Sequence, residues 1–268
     1  MSTQAIEIDG VAFHLSACSE DPSLSDRALK TGLTCLREAA EEAAGDLDLI
    51  SQGNLDILPR SEVARSVMEA ARTAVHAGHP DHSISAARYA LAGALADRVV
   101  TEMDDVGPLT SAYVVSGECG AFSIKMDAVL DVASELRSAL WLEVIHGLRP
   151  GIVKGGVAVA GARVPARYAS GAEGDADAVA IYARSGAEAA LSAILVADSV
   201  ELSETAKRRS IPSTEEIWDA LSKGVRVLSP LREANLVRTG VLALRGRGRR
   251  IGTIAEDRLL RFGVSEWR

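Results

Sequence analysis

The shortages in this sequence are its first source of information. Only three cysteines occur in 268 residues, Cys18, Cys35 and Cys119. They are too few and too scattered for a disulfide framework or a CxxC-type zinc site, so a reducing cytoplasm is the expected setting. Nowhere does an apolar run approach the roughly 18 residues that a membrane span requires. The opening MSTQAIEIDG has no basic region followed by an apolar one, and the expectation is a protein neither secreted nor embedded in a membrane. Positive charge is in the minority, with 29 Lys and Arg against 37 Asp and Glu and a formal net charge of −8. A phosphate-backbone binder normally shows a basic face, so nucleic acid is not an expected partner. Aromatic residues make up 4% of the chain while 47% of it is hydrophobic, which predicts an aliphatic core and closely packed alanine-rich helices. Long-period repeats and Pro-, Gly- or Ser-rich linkers are also missing. Residues 1–268 are therefore expected to form a single compact domain, an arrangement that two closely packed subdomains would also satisfy.

What is present alternates between β-type runs and amphipathic helices, the pattern of an α+β (mixed α/β) fold with mixed or antiparallel sheets. Residues 5–8 and 11–17 flank Asp9-Gly10, a dipeptide that two-residue hairpin turns favour because it tolerates positive φ. From Ser25 the apolar positions Leu29, Leu33, Leu36 and Ala40 recur at helical steps, while Glu38, Glu41 and Glu42 take other faces. Pro59 closes an ambiguous stretch, after which Val63, Val67, Ala71 and Val75 mark a second helix. A third, capped by Ser83 or Ser85, carries Tyr89, Leu95 and Val99 among small residues that allow close packing. Residues 112–115 and 121–125 read as strands. Asp127 is placed to cap a fourth helix, with Val129, Val132, Leu136, Leu140 and Val144 on one stripe and a stop at Pro150. Strand candidates follow at 152–160, 164–168 and 178–182. Two more helices start near Ser185 and at Ser213, where Glu216 three residues on completes a capping box. The C-terminal segment holds apolar runs at 225–228 and 236–244 and an arginine-rich turn at 245–250.

Residues 109–126, LTSAYVVSGECGAFSIKM, hold the leading candidate site. Within them Ser116-Gly117-Glu118-Cys119-Gly120 combines a strand exit, a carboxylate, a thiol and two glycines, Gly117 and Gly120, that let backbone N–H groups approach an anion. The loop reads as an anion or nucleotide pocket, as a site where Cys119 is a nucleophile assisted by Glu118, or as a tight turn over a buried thiol. A second glycine loop runs from Tyr168 through Ser170 and Gly171 to Asp175 and Asp177, and two such loops could face one cleft. On the fifth helix Glu188 and Ser192 stand four apart, where a carboxylate and a hydroxyl could hold Mg²⁺ or a phosphate; the macrodipole alone also favours an acid near a helix start. His76, His79, His82 and Asp81 have the ligand chemistry of a zinc or iron site. Gly78 and Pro80 interrupt them, however, and an exposed turn explains them equally well. Arg245, Arg247, Arg249 and Arg250 suit a phosphate clamp or a solvated hairpin tip.

Several of these stretches resemble, in chain order, the ApbE-like superfamily, which contains flavin transferases, and within it a branch of bacterial and archaeal proteins of unassigned function. ALAGALAD at 90–97 resembles that branch's alanine-glycine helix, and Ala112-Tyr113-Val114 leads into a glycine loop where the branch has Asn-Gly-Gly-Asp. Tyr168-Ala169-Ser170-Gly171 resembles its Ala-Thr-Ser-Gly turn, Ala176-Asp177-Ala178-Val179 matches Ala-Asp-Ala-Val, and AEAALSAI at 187–194 resembles Ala-Asp-Ala-Ala-Ala-Thr-Ala-Ile. The likeness covers roughly residues 5–255. It implies an ApbE-like fold and FAD as cofactor. It also implies a Mg²⁺ site at Glu188 and Ser192, the positions matching the transferases' metal-binding aspartate and threonine. The leading expectation is an ApbE-like transferase-type enzyme binding an anionic or nucleotide ligand between the glycine loops, at Gly117, Gly120, Ser170, Gly171 and Asp177. A cofactor-free biosynthetic lyase, cyclase or hydrolase using Cys119 is the alternative, and a non-catalytic ligand-binding or assembly protein of the same fold is a third. The alanine-rich helices and modest size predict a homodimer.

Overall fold

In the computed structural model, every strand among the described residues lies beside its neighbour in sequence. The structure describes residues 2–52, 55–79, 86–117, 119–125, 128, 130, 132–137, 139–148, 154–164, 172–208 and 211–268. One nine-stranded sheet runs β1 (Ser2–Ile8), β2 (Val11–Cys18), β3 (Ser111–Ser116), β4 (Cys119–Ile124), β5 (Lys154–Ala160), β6 (Ala178–Ala183), β7 (Thr239–Leu244), β8 (Arg247–Ile251) and β9 (Glu266–Trp267). Each pair is antiparallel except β8 with β9. The opening hairpin forms as its Asp-Gly turn dictates: Asp9 and Gly10 have φ of 51° and 79°, and Ile8 faces Val11.

Helices α1 (Pro22–Ala44), α2 (Leu47–Gln52), α3 (Glu62–His76) and α4 (Leu91–Asp105) precede β3, and α5 (Leu140–Gly147) precedes β5. Between β6 and β7 come α6 (Gly186–Ser199), α7 (Glu204–Lys207) and α8 (Thr214–Glu233). Their starts are set locally. Asp21 accepts the Ser23 N–H at 2.8 Å ahead of Pro22 in α1, and Ser213 and Glu216 exchange the two bonds of a capping box in α8.

Because successive side chains on a strand point to opposite faces, the central strands feed two cores. One face, with Leu15, Val114, Ala121, Ala158, Ile181 and Leu242, packs under the layer of α1, α3, α4, α6 and α8. The other, with Tyr113, Phe122, Val157, Tyr182 and Val241, meets a thinner cover that includes Trp141 of α5 and Phe262. The result is one compact α+β body. No helix among the described residues is long and apolar enough to cross a membrane.

Two expectations are corrected. The stripe from Val129 to Val144 does not form one helix. Ala133 and Ala139 are extended, with ψ of 148° and 135°, and α5 starts only at Leu140. The Ala133 N–H donates to the Tyr113 hydroxyl at 3.1 Å. Leu130 and Val132 reach the same aromatic core as α5 from outside any helix, and Leu136 reaches it from a three-residue 3-10 turn, Ser134–Leu136, so apolar spacing imitated one continuous helix. The arginine turn is likewise shorter than expected. Only Arg245 and Gly246 turn, and the other arginines belong to β8, where Arg247 pairs with Glu266, Arg249 lies over the Trp218 ring and Arg250 pairs with Glu256. Alternation along the strand spreads them, and they do not converge as a clamp. The apolar run at 225–228 lies inside α8. Of the strand expected at 164–168, everything past Val164 is outside the described residues, as are Ser83, Ser85, Asp127 and Val129.

Candidate functional site

At the N-terminus of α6 three backbone segments cross in close contact. A helix begins with N–H groups that have no partner within it. Here Ser185 accepts the Glu188 N–H at 3.1 Å, while the carboxylate of Asp97, from α4, accepts those of Gly186 at 2.7 Å and Ala187 at 3.1 Å. Gly93 lies one turn before Asp97 on α4 and makes the approach possible. A Cβ at Gly93 would sit 2.2 Å from the Gly186 carbonyl oxygen, and one at Gly156 of β5 would sit 2.1 Å from the Gly186 nitrogen. The carbonyl of Gly120 in β4 borders Gly186 as well. Glycine here serves backbone-to-backbone contact between α4, α6 and the sheet.

Charged groups collect around this crossing. Burial pushes the Asp97 carboxyl up from 3.8 to about 7, helped by the nearby Glu188 and opposed by the two N–H bonds and Lys154. Asp97 still keeps part of its surface accessible. Glu188 is held by Arg184 at 2.5 Å, and Lys154 reaches Asp104 at 3.4 Å and the Thr101 hydroxyl at 3.3 Å. Arg184 and Lys154 are 54% and 47% exposed, against 12% for Glu188. The cluster therefore runs from a buried carboxyl to two solvated cations. Chemically, it offers a group able to give or take a proton near neutral pH beside positive charge suited to an anion.

The residues expected from sequence fall in different places. Gly117, at φ 58°, makes the two-residue turn between Ser116 and Cys119, which face each other across β3 and β4. Glu118 lies outside the described residues. Cys119 is half-buried against the helix-layer core, one residue from the Gly120 that borders α6. Asp177 is buried at the start of β6, where it accepts the Arg245 N–H at 2.6 Å and pairs with Arg163 at 3.3 Å, tying the β7–β8 turn to the β5–β6 connection. Ser170 and Gly171, in that connection, lie outside the described residues. The connection leaves β5 at Ala160, two residues beyond the Ala158 that pairs with Cys119, so both glycine loops emerge from one end of the sheet. Glu188 lies past the other end of β6, about 20 Å of strand away from Asp177. The single cleft expected from sequence thus resolves into two locations.

Ser192 follows Glu188 by one turn of α6 and is fully buried, its hydroxyl without a hydrogen-bond partner among the described residues. Two oxygen donors of this kind have the right chemistry for Mg²⁺. Their arrangement does not suit one shared ion, because a guanidinium already occupies the carboxylate and the hydroxyl has no exposed surface. His76 closes α3, with its Nδ1 at 2.7 Å from the Arg72 carbonyl, and Asp81 and His82 lie outside the described residues.

Asp97 itself is a residue that sequence reasoning missed. Its signal was present: a lone carboxylate in the small-residue run ALAGALAD, four positions after Gly93 and so on the same helix face. The partners, Gly186 and Ala187, lie far along the chain and had no signal pointing back to it.

Fold and site together define an α+β protein built on an antiparallel meander, with a buried acid–base candidate at a helix crossing. A scan against models of protein families finds no match for this chain, and a search among curated proteins finds none either.

Proposed function

We propose that this chain is a cytoplasmic small-molecule enzyme of ApbE-like kind that holds an anionic or nucleotide ligand beside the N-terminus of α6. Asp97 transfers a proton there. The observation that carries this reading is the Asp97 carboxyl, anchored on two backbone N–H groups, poised near pH 7 and flanked by Lys154 and Glu188. A carboxyl in that state is matched to proton transfer in both directions at physiological pH. Its anchors fix its orientation, so a ligand hydroxyl presented to a remaining lone pair meets a positioned base. Lys154 and Arg184 offset the ligand's negative charge and are exposed enough to meet it.

The resemblance supports the same place. The stretch ALAGALAD ends on Asp97 and AEAALSAI begins at Ala187, and these two residues are bonded to each other. Since Glu188 and Ser192 do not suit a shared Mg²⁺ as arranged, no step is assigned to a metal. The test is thermal unfolding titrated with FAD, with and without Mg²⁺, and with inorganic pyrophosphate. A raised midpoint with at least one of these is expected, and it should shrink when Lys154 and Arg184 are both changed to Ala. A wild-type protein indifferent to all of them would turn the reading toward a binding or assembly protein without catalysis.

A further inference from the structure

The two edges of the sheet are finished differently. At one edge β9 is only two residues long and lies against the arginine-bearing β8, so its free backbone groups are few. At the other edge β1 runs seven residues in unbroken register with β2, from Ser2 opposite Ala17 to Ile8 opposite Val11, and no described residue pairs with its outer side. Its sequence, STQAIEI, contains no proline, no lysine and no bulge, the devices that ordinarily keep an edge strand from pairing with another chain. Glu7 is its only charged residue.

The hairpin fixes which backbone groups of β1 are free. In a two-residue turn the closing pair, here Ile8 and Val11, exchanges both hydrogen bonds, and antiparallel pairing alternates from there. Ser2, Gln4, Ile6 and Ile8 therefore bond inward to β2. Thr3, Ala5 and Glu7 present N–H and C=O outward, and all three are exposed.

We infer that β1 is a self-pairing edge and that its occupant is a second copy of this chain, joined antiparallel about a two-fold axis at Ala5. Among the described residues, only that register uses every outward one: Ala5 bonds Ala5 of the other copy, and Thr3 bonds Glu7 in both directions. A shift of one pair either way leaves one outward residue of each copy without a bond to a described strand residue. The Ala5-centred register sets Glu7 against Thr3, so no like charges face each other. On the helix side it brings Ile6, half-buried against the core, diagonally across from its counterpart, adding an apolar contact to the backbone bonds. A two-fold interface of this kind is closed, so it ends at a dimer with one continuous sheet. The alanines of the helix layer, among them Ala90, Ala94, Ala187 and Ala193, are buried within one chain, so they offer no surface for self-association.

Sedimentation equilibrium of the full chain in the micromolar range tests the inference. Wild type should have twice the 28.1 kDa chain mass. Ala5→Pro removes an N–H that β2 does not use, a position where an edge strand tolerates proline. It should give a monomer with unchanged circular dichroism and unfolding midpoint. Ala5→Lys places two ammonium groups opposite each other at the axis and should weaken association about tenfold or more; it decides alone should the proline variant not fold. A monomeric wild type, or a dimer whose dissociation constant neither substitution shifts, overturns the inference.

Discussion

Helices α6 and α8 solve the same problem by different means. Each starts with N–H groups that need partners and each has a serine at its cap, Ser185 and Ser213. At α8 the second partner, Glu216, is three residues away and half-buried beside the exposed Ser213, so the cap is complete within one turn of chain. At α6 the second partner is Asp97, brought from another helix and largely withdrawn from water, and the same hydrogen-bonding task now places a carboxyl near a neutral pKa. A cap closed locally serves stability alone. A cap supplied across the fold ties two helices together and leaves a titrating group at their crossing.

The contrast can be broken in several places. Gly93→Ala should cost most, about 3 kcal/mol or more, because the added methyl meets the Gly186 backbone oxygen, which has no rotamer to move away. Equilibrium urea unfolding would measure it. Asp97→Ala should follow at about 2–3 kcal/mol at low pH, where the wild-type carboxyl is neutral, since it strips two buried N–H groups of their acceptor. Ser213→Ala, at the exposed cap, should cost only about 1 kcal/mol. Breaking the half-exposed Arg184–Glu188 pair with Arg184→Ala should cost about 0.5 kcal/mol or less.

The pH dependence sharpens the same comparison. The folded pKa of Asp97 lies above its ordinary 3.8, at about 7. Between those values the native state keeps a proton that the unfolded chain has released. Stability should therefore fall as pH rises through that window. Asp97→Asn should flatten that part of the curve, whereas Ser213→Ala should keep the wild-type slope. Urea unfolding across pH 4–8 reads both. Cys119→Ala, tested once an activity is in hand, separates the two enzymatic readings: near wild-type turnover leaves proton transfer at Asp97, and loss of turnover moves the chemistry to the thiol.

Much of the architecture was legible because its causes are local. Asp9-Gly10 dictates a hairpin, Ser213 with Glu216 dictates a helix start, and the spacing of Leu29, Leu33 and Leu36 dictates the buried stripe of α1. The segment from Val129 to Val144 misled because apolar spacing records only which residues are buried. Tyr113, from a distant strand, took the Ala133 N–H that a helix would have used. The loop at Gly117 to Gly120 was singled out by composition, and the structure gives Gly120 a packing task against α6 that its neighbours in sequence could not announce.

By itself, then, the sequence determined the α+β class and most helix and strand positions. Both depend on interactions within a few residues or on composition. Only the tertiary structure decided that Asp97 meets Gly186 and Ala187, that Glu188 and Asp177 lie at opposite ends of one strand, and that β1 is left as an open edge. Those facts depend on which distant backbones can come together. Here that turned on glycines whose missing side chains let α4, α6 and β5 touch, a condition that no single stretch of sequence contains.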